Sequence, residues 1–407
     1  MTGLERVLPE DTEAALLVGR VWDPEAGGPR IVAVRGEDVY DLQEQAPTMA
    51  GLLASGDPAG VVRRAMAQDL TPRWSTAELI DAAEAGDRSR PHLLAPIDLQ
   101  VVKACGVTFV ESMIERVIEE RAAGDPARAA ALRERVGAAL GGSLDGVRPG
   151  SDEAEKAKAV LKEEGLWSQY LEVGIGKDPE VFSKAPVLAS VGYGAQIGIL
   201  EASEWNNPEP ELVLVVAPDG RPVGATLGND VNLRDIEGRS ALLLGKAKDN
   251  NASCAMGPFI RLFDGGFTLD SLRDEEILLE VLGADGFRLE GRNSLAHISR
   301  PFEELISATV GRHHQYPDGF ALFTGTLFAP VQDRGEPGKG FTHRVGDRVS
   351  VSSARLGTLA NVVGLCEELP PWEYGLGEFF AYLAATALRR NGTSSSSTGP
   401  AGNSVEA

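Results

Sequence analysis

Three carboxylates, Glu209, Glu211 and Asp230, stand at spacings that bring them together. They lie in the stretch NPEPELVLVVAPDGRPVGATLGNDVN, Asn207 to Asn232. Apolar runs flank Pro218-Asp219-Gly220-Arg221, and an Asp-Gly pair between such runs signals a β-hairpin. Side chains alternate across a strand, so Glu209 and Glu211 share a face with Val213 and Val215. A two-residue Asp219-Gly220 loop sets Glu209 opposite Asp230 and Glu211 opposite Gly228. Clustered, partly buried carboxylates repel one another and do not all stay ionised unaided. A divalent cation resolves the conflict, and an all-oxygen donor set favours Mg²⁺, Mn²⁺ or Ca²⁺ over zinc. A solvated sheet edge with scattered acids is the competing reading of the same spacing.

The surrounding elements must position this hairpin. Residues 1–95 read as a small N-terminal α+β domain in which no chemistry is evident; His92 there reads as a linker residue. Residues 96–370 read as the main domain, opened by an apolar strand from Ile97 to Cys105. A long helical pattern from Glu111 to about Leu140 follows, rich in Glu and Arg four residues apart. Ser151 to Glu164 reads as a second charged helix, and the region of about 110–165 as a lid or dimer surface too polar for the core. Lys184, flanked by apolar residues and Pro186, points to a site or to a strand surface. Residues 371–390 read as a C-terminal helix and 391–407, rich in Ser, Gly and Thr, as disordered. Many short strands with few helices between them indicate an α+β chain with a mixed β-rich core, rolled or barrel-like. No Gly-X-Gly piece sits between a strand and a helix, which excludes a dinucleotide fold.

Composition narrows the partners. A net charge of −21 with no Lys/Arg-rich run excludes a nucleic-acid binder. A small anionic substrate then needs local cations. The three cysteines, Cys105, Cys254 and Cys366, are widely spaced, which fits a reduced compartment and neither a disulfide framework nor a cysteine zinc site. No apolar run approaches membrane-spanning length and no leader pattern opens the chain, so a soluble cytoplasmic protein is expected.

Glu209-Pro-Glu211, Gly228-Asn229-Asp230, Arg234-Asp235, Lys248, Gly257-Pro258 and Gly325-Thr326 occur in the order seen in the fumarylacetoacetate hydrolase family. The chain resembles that family over roughly residues 97 to 366. The pieces NNPEPE, GNDVNLRDIEGRS and AKDNNASCAMGP are most similar to its 2-keto-3-deoxy-pentonate dehydratase branch. The resemblance implies a β-roll of mixed sheets, a homodimer or homotetramer, and Mg²⁺ on Glu209, Glu211 and Asp230. It implies conversion of 2-keto-3-deoxy-D-pentonate to 2,5-dioxopentanoate in non-phosphorylative pentose oxidation. The family's hydrolases place a histidine just after the segment aligned with Gly106–Phe109, and residues 106–121 contain none. That departure favours a dehydratase over a hydrolase.

The roles carried over follow from the resemblance. The metal would chelate the substrate's C1 carboxylate and C2 ketone and stabilise an enolate. Lys248 would hold the same oxygens. Glu119 is the candidate acid/base, with one more solvated helix carboxylate as its alternative, and Arg116 lies one turn earlier to orient it or to neutralise the substrate. Phe182, Lys184, Thr326 and Arg234 are the expected substrate-binding residues. His313-His314 reads as a helix-end pair. Two rival readings stand beside this one. One is an acylpyruvate hydrolase or oxaloacetate decarboxylase on the same metal site, and the other is a non-catalytic carbohydrate- or metal-binding module.

Overall fold

The computed structural model describes residues 7–68, 70–140, 144, 147–163, 165, 167–335 and 340–395. Its organising element is the pair of strands Pro210–Val216 and Pro222–Asp230, antiparallel, with every residue of the first buried. Leu212, Leu214 and Val216 pack into one apolar cluster, while Val213 and Val215 pack into another on the opposite face. A strand covered on both sides needs a continuous apolar run, which is what ELVLVV supplies.

The turn differs from the expected two-residue loop. Ala217 and Arg221 close it, the Ala217 N–H donating to the Arg221 carbonyl at 2.9 Å, so three residues form the tip. Gly220, with φ of 84°, takes the left-handed position that such a loop requires. The pairing then slips by one residue at a bulge between Val215 and Val216, after which Glu211 faces Gly228 as expected. The Asp230 N–H donates to the Glu209 carbonyl at 3.0 Å.

Among the described residues this hairpin lies inside an 11-stranded mixed sheet. Cys254–Leu262 pairs with Pro222–Asp230, and Leu17–Asp23 pairs in turn with Cys254–Leu262, continuing to Gly28–Arg35, Asp38–Asp41 and Trp74–Ser75. Strands from the first 95 residues thus lie in the same sheet as the acids. On the other side come Phe320–Phe323, Val101–Gly106 and Glu180–Ala185. A second sheet runs Arg288–Ser294, Glu276–Leu282, Arg348–Ser353, Gly357–Leu365, Gln196–Ile199. The chain is therefore a mixed α/β molecule with large sheets. Among the described residues the strand order ends at Trp74–Ser75 and Glu180–Ala185 without closing, which corrects the barrel-like expectation.

The helical region also departs from its reading. The expected single helix is two, Val110–Ala122 and Pro126–Leu140, separated where Ala123 and Gly124 take φ of 55° and 74°. The first of these is not too polar for the interior. Met113, Val117, Ile118 and Ala122 join an apolar cluster, while Arg116 and Glu119 are buried on the side toward the acids. Their charges are tolerated because each is paired. The C-terminal helix spans Leu376–Ser395, so the start of the tail expected to be disordered is helical, and residues 396–407 lie outside the described residues.

Candidate metal and acid–base site

Glu209, Glu211 and Asp230 each offer an oxygen within 4.8 Å of the others, and all three are buried. Glu209 and Glu211 sit two apart at the start of one strand and Asp230 ends the neighbouring one, so the sheet itself fixes their separation. Asn229 turns its side chain back to accept the Glu209 N–H at 3.0 Å, and the Gly325 N–H donates to Glu211 Oε2 at 2.6 Å.

Cations close in on this cluster from several elements. Lys248, ending the short helix Leu244–Lys248, lies 2.5 Å from Glu209 Oε2 and 3.0 Å from Asp230 Oδ2. Lys184 lies 2.9 Å from Asp230 Oδ1 and donates to the Lys248 carbonyl. Arg116 pairs with Glu209, with Glu119 at 2.8 Å and with Glu237 at 2.7 Å. Arg234 pairs with Glu119 at 3.1 Å and donates to Asn207 Oδ1 and the Pro330 carbonyl. The short helix Arg234–Glu237 presents Arg234 and Glu237 to Glu119 and Arg116, three residues apart on one face.

Burial sets the electrostatics, and the neighbours decide its sign. Burial, then Asp230 and Glu209, push the Glu211 carboxyl well above its ordinary range. Burial acts the same way on Asp230, but Lys184 and Lys248 outweigh it and hold that carboxyl low. Burial alone would lower the Lys248 ammonium; Asp230 and Glu209 reverse this and keep it charged. Among the described residues the cluster gathers six carboxylates, Glu119, Glu180, Glu209, Glu211, Asp230 and Glu237, against four cations, Arg116, Lys184, Arg234 and Lys248. With all six ionised two negative charges are left over, the amount one divalent cation neutralises, and the raised Glu211 and Glu180 carboxyls reflect burial together with that surplus. The all-oxygen triad and this surplus fit a hard divalent ion.

A cleft of about 10 Å³ opens beside the triad, lined among others by Ser112, Arg116, Glu180, Phe182, Glu237, Lys248 and Thr326. Phe182 faces it with its ring 5.8 Å from the Lys248 ammonium, and Thr326 donates to the Phe328 carbonyl at 3.0 Å. Three expected residues take other positions. Lys184 is wholly enclosed against Asp230 and backbone carbonyls. Arg234 and Glu119 bind each other behind Arg116 rather than lining the cleft. Burial raises the Glu119 carboxyl while Arg116 and Arg234 pull against that rise. His313 and His314 are exposed, away from the cleft.

Sequence reasoning missed Glu180 and Glu237. Glu180 starts the strand Glu180–Ala185 opposite Gly106, where a Cβ would come within 1.9 Å of its Oε2. It is half-buried and lines the cleft, and burial together with Glu237 lifts its carboxyl to about 7. Period-two alternation from Phe182 and Lys184 would have reached it, since all three share one strand face.

Comparison with known proteins gives the same assembly a context. Residues 161–364 match the family model described as fumarylacetoacetate (FAA) hydrolase C-terminal. The 2-dehydro-3-deoxy-D-arabinonate dehydratase of Saccharolobus solfataricus is 32% identical over 188 residues, 46% of this chain and 58% of that protein. The chain thus spans little more than half of that relative's length. The probable 2-keto-3-deoxyxylonate dehydratase of Haloferax volcanii is 29% identical over 343 residues, 83% of this chain and 96% of the other. A solved structure of 2-keto-3-deoxy-D-arabinonate dehydratase complexed with magnesium and 2,5-dioxopentanoate shares the fold, with a TM-score of 0.58 and 22% identity over 86% of this chain and 99% of that one.

Proposed function

The chain belongs to the fumarylacetoacetate hydrolase family, and from that premise we propose that it dehydrates a 2-keto-3-deoxy-pentonate to 2,5-dioxopentanoate with Mg²⁺ on Glu209, Glu211 and Asp230. Mn²⁺ and Ca²⁺ suit the same oxygens. The work belongs to non-phosphorylative pentose oxidation in the cytoplasm.

One observation carries the reading. Among the described residues the cleft beside the triad holds a half-buried carboxyl lifted to about 7, Glu180, and no histidine. Water loss from a 3-deoxy sugar acid needs a proton moved at C3 and C4, and a carboxyl near neutrality does this. The family's hydrolases instead use a histidine–glutamate pair to activate water.

A divalent cation bound at the triad supplies Lewis acidity to a 2-keto acid's carboxylate and ketone. Lys248, held charged by Asp230 and Glu209, provides a fixed positive charge beside those oxygens. Ionised Glu180 takes a C3 proton and returns it to the departing C4 hydroxyl, which leaves as water. Double-bond migration then moves a proton from C5 to C3, and the resulting C5 enol becomes the aldehyde. Arg116, braced by Glu119 and Glu237, keeps Glu209 oriented. Glu119 acts through Arg116 and Arg234 and is a positioning residue in this scheme. Phe182 and Thr326 border the substrate. Lys184 holds Asp230 in place.

The test is direct. Purified protein with Mg²⁺ and each C4 epimer of 2-keto-3-deoxy-pentonate should release 2,5-dioxopentanoate. Cleavage into two acids, or loss of carbon dioxide from oxaloacetate in its place, would overturn the proposal in favour of a hydrolase or decarboxylase.

A further inference from the structure

A second cavity, of about 640 Å³, lies where distant stretches of the chain meet: the strand His92–Leu94, residues 188–196, residues 251–252 and residues 369–378. It shares no lining residue with the cleft beside the acid triad. Its volume falls within the roughly 300–1,000 Å³ of small-molecule sites. Aromatic rings form part of the wall. Trp22 and Tyr374 meet edge to face with centroids 5.1 Å apart. The Trp372 indole N–H donates to the Tyr374 carbonyl at 3.0 Å, which pins a ring left 48% exposed. With that N–H committed, Trp372 offers a face and not a donor. Leu188 and Ala252, also in the wall, have φ of 65° and 57°. They are two of the four non-glycine residues in the left-handed region among the described residues. Backbone strain of this kind gathers at ligand sites.

We propose that this cavity is a second small-molecule site and that it takes an aromatic organic cation. The charges among its lining residues select that class. Three carboxylates, Asp87, Glu373 and Glu378, stand against one guanidinium, Arg88. Asp87 accepts from the Ser89 hydroxyl at 2.6 Å and Glu378 from the Gly375 N–H at 3.2 Å, neutral donors that leave both charges in place. Burial holds the His92 imidazole below its ordinary range, so it adds no positive charge at neutral pH. Aromatic faces attract a cation through their quadrupole, and they stack on a flat ring. A net charge of −21 on the whole chain adds to the pull on cations and repels anions. The same charges turn away a 2-keto acid, so the cavity is not a second place for the substrate of the proposed reaction.

Calorimetric titration of the full chain tests this, with Mg²⁺ in excess so that the acid triad does not compete for the cation. Three probes share one ring and differ in charge: phenethylamine, 2-phenylethanol and phenylacetate. The amine should bind one per chain and about tenfold more tightly than the alcohol, and phenylacetate should not bind. Trp372→Ala changes an exposed side chain outside the cleft and should lower the amine's affinity about tenfold. Glu373→Gln with Glu378→Gln keeps an acceptor for the Gly375 N–H and should bring the amine down to the affinity of the alcohol. No saturable binding of the amine, or binding untouched by Trp372→Ala, overturns the proposal. Phenylacetate binding as tightly as the amine, or an amine affinity unchanged in the double glutamine variant, overturns it through the ligand's charge. A Trp372→Ala protein with fewer chains per particle in sedimentation equilibrium would assign the cavity mouth to a contact between copies and equally overturn it.

Discussion

Lys184 and Lys248 hold opposite oxygens of one carboxylate, at 2.9 Å from Asp230 Oδ1 and 3.0 Å from Oδ2. Of the two, Lys184 is completely enclosed and also donates to the Lys248 carbonyl, so it fixes both the acid and its rival cation. Lys184→Met is expected to cost about 3–5 kcal/mol of stability, because it strands a buried carboxylate. The check is a denaturant titration with and without Mg²⁺. Unchanged stability in the absence of the ion would show that Asp230 does not depend on Lys184.

Glu180 and Glu119 are separable by substitution. Glu180→Gln should lower kcat by about 10²–10⁴-fold, the usual worth of a positioned acid/base, with the melting temperature nearly unchanged. Glu119→Gln should instead lower the melting temperature, since it breaks a buried pair with both Arg116 and Arg234, and should reduce kcat less. Steady-state kinetics and calorimetry on both variants decide the assignment; the reverse pattern would return the proton-moving role to Glu119.

The pH dependence follows from the same carboxyl. Its ionised form starts the reaction, so kcat/KM should rise with pH through about 7, and Glu180→Gln should erase that limb. For stability the sign is opposite. A carboxyl raised in the folded state favours folding fully below its ordinary range, and that contribution fades as pH climbs to about 7. A pH–rate profile flat between 6 and 8 (about one unit to each side of the shifted carboxyl) would exclude Glu180 as the base.

Removal of the divalent ion should abolish turnover and also lower the melting temperature, because the ion binds only the folded triad. Glu211→Gln should remove most of the ion-dependent rise in melting temperature. A chelator that leaves both activity and melting temperature unaltered would remove the metal from this account.

Gly228→Ala tests how tightly the acid-bearing strands are packed. A Cβ at 228 would stand 2.2 Å from Phe323 and 2.6 Å from Val213, both inside the core. The expected loss is about 1–3 kcal/mol, read from chemical denaturation.

The acid triad was legible in the sequence because a hairpin is a local object: one turn signal and strict alternation place three residues. What alternation cannot supply is which helix comes down on the open side of the sheet. Arg116 and Glu119 looked like members of a solvated charged helix, since their partners Glu209, Glu237 and Arg234 are distant in sequence. Glu180 shares a strand face with Phe182 and Lys184, so alternation reaches it, but only the pairing with Gly106 on the neighbouring strand shows that this face borders the acids. The open form of the large sheet was likewise hidden, being decided by pairings such as that of Leu17–Asp23 with Cys254–Leu262.

The hairpin tip and the acids are insulated from each other by one irregular residue. A three-residue tip displaces the return strand by one place, and the bulge beside Val216 takes up that displacement before it reaches Glu211. A connection shortened by one residue at the tip therefore leaves Glu211 opposite Gly228 as long as the irregularity beside Val216 is kept. A shortened tip on a straightened ladder would slide the return strand by one place and turn its side chains to the other face.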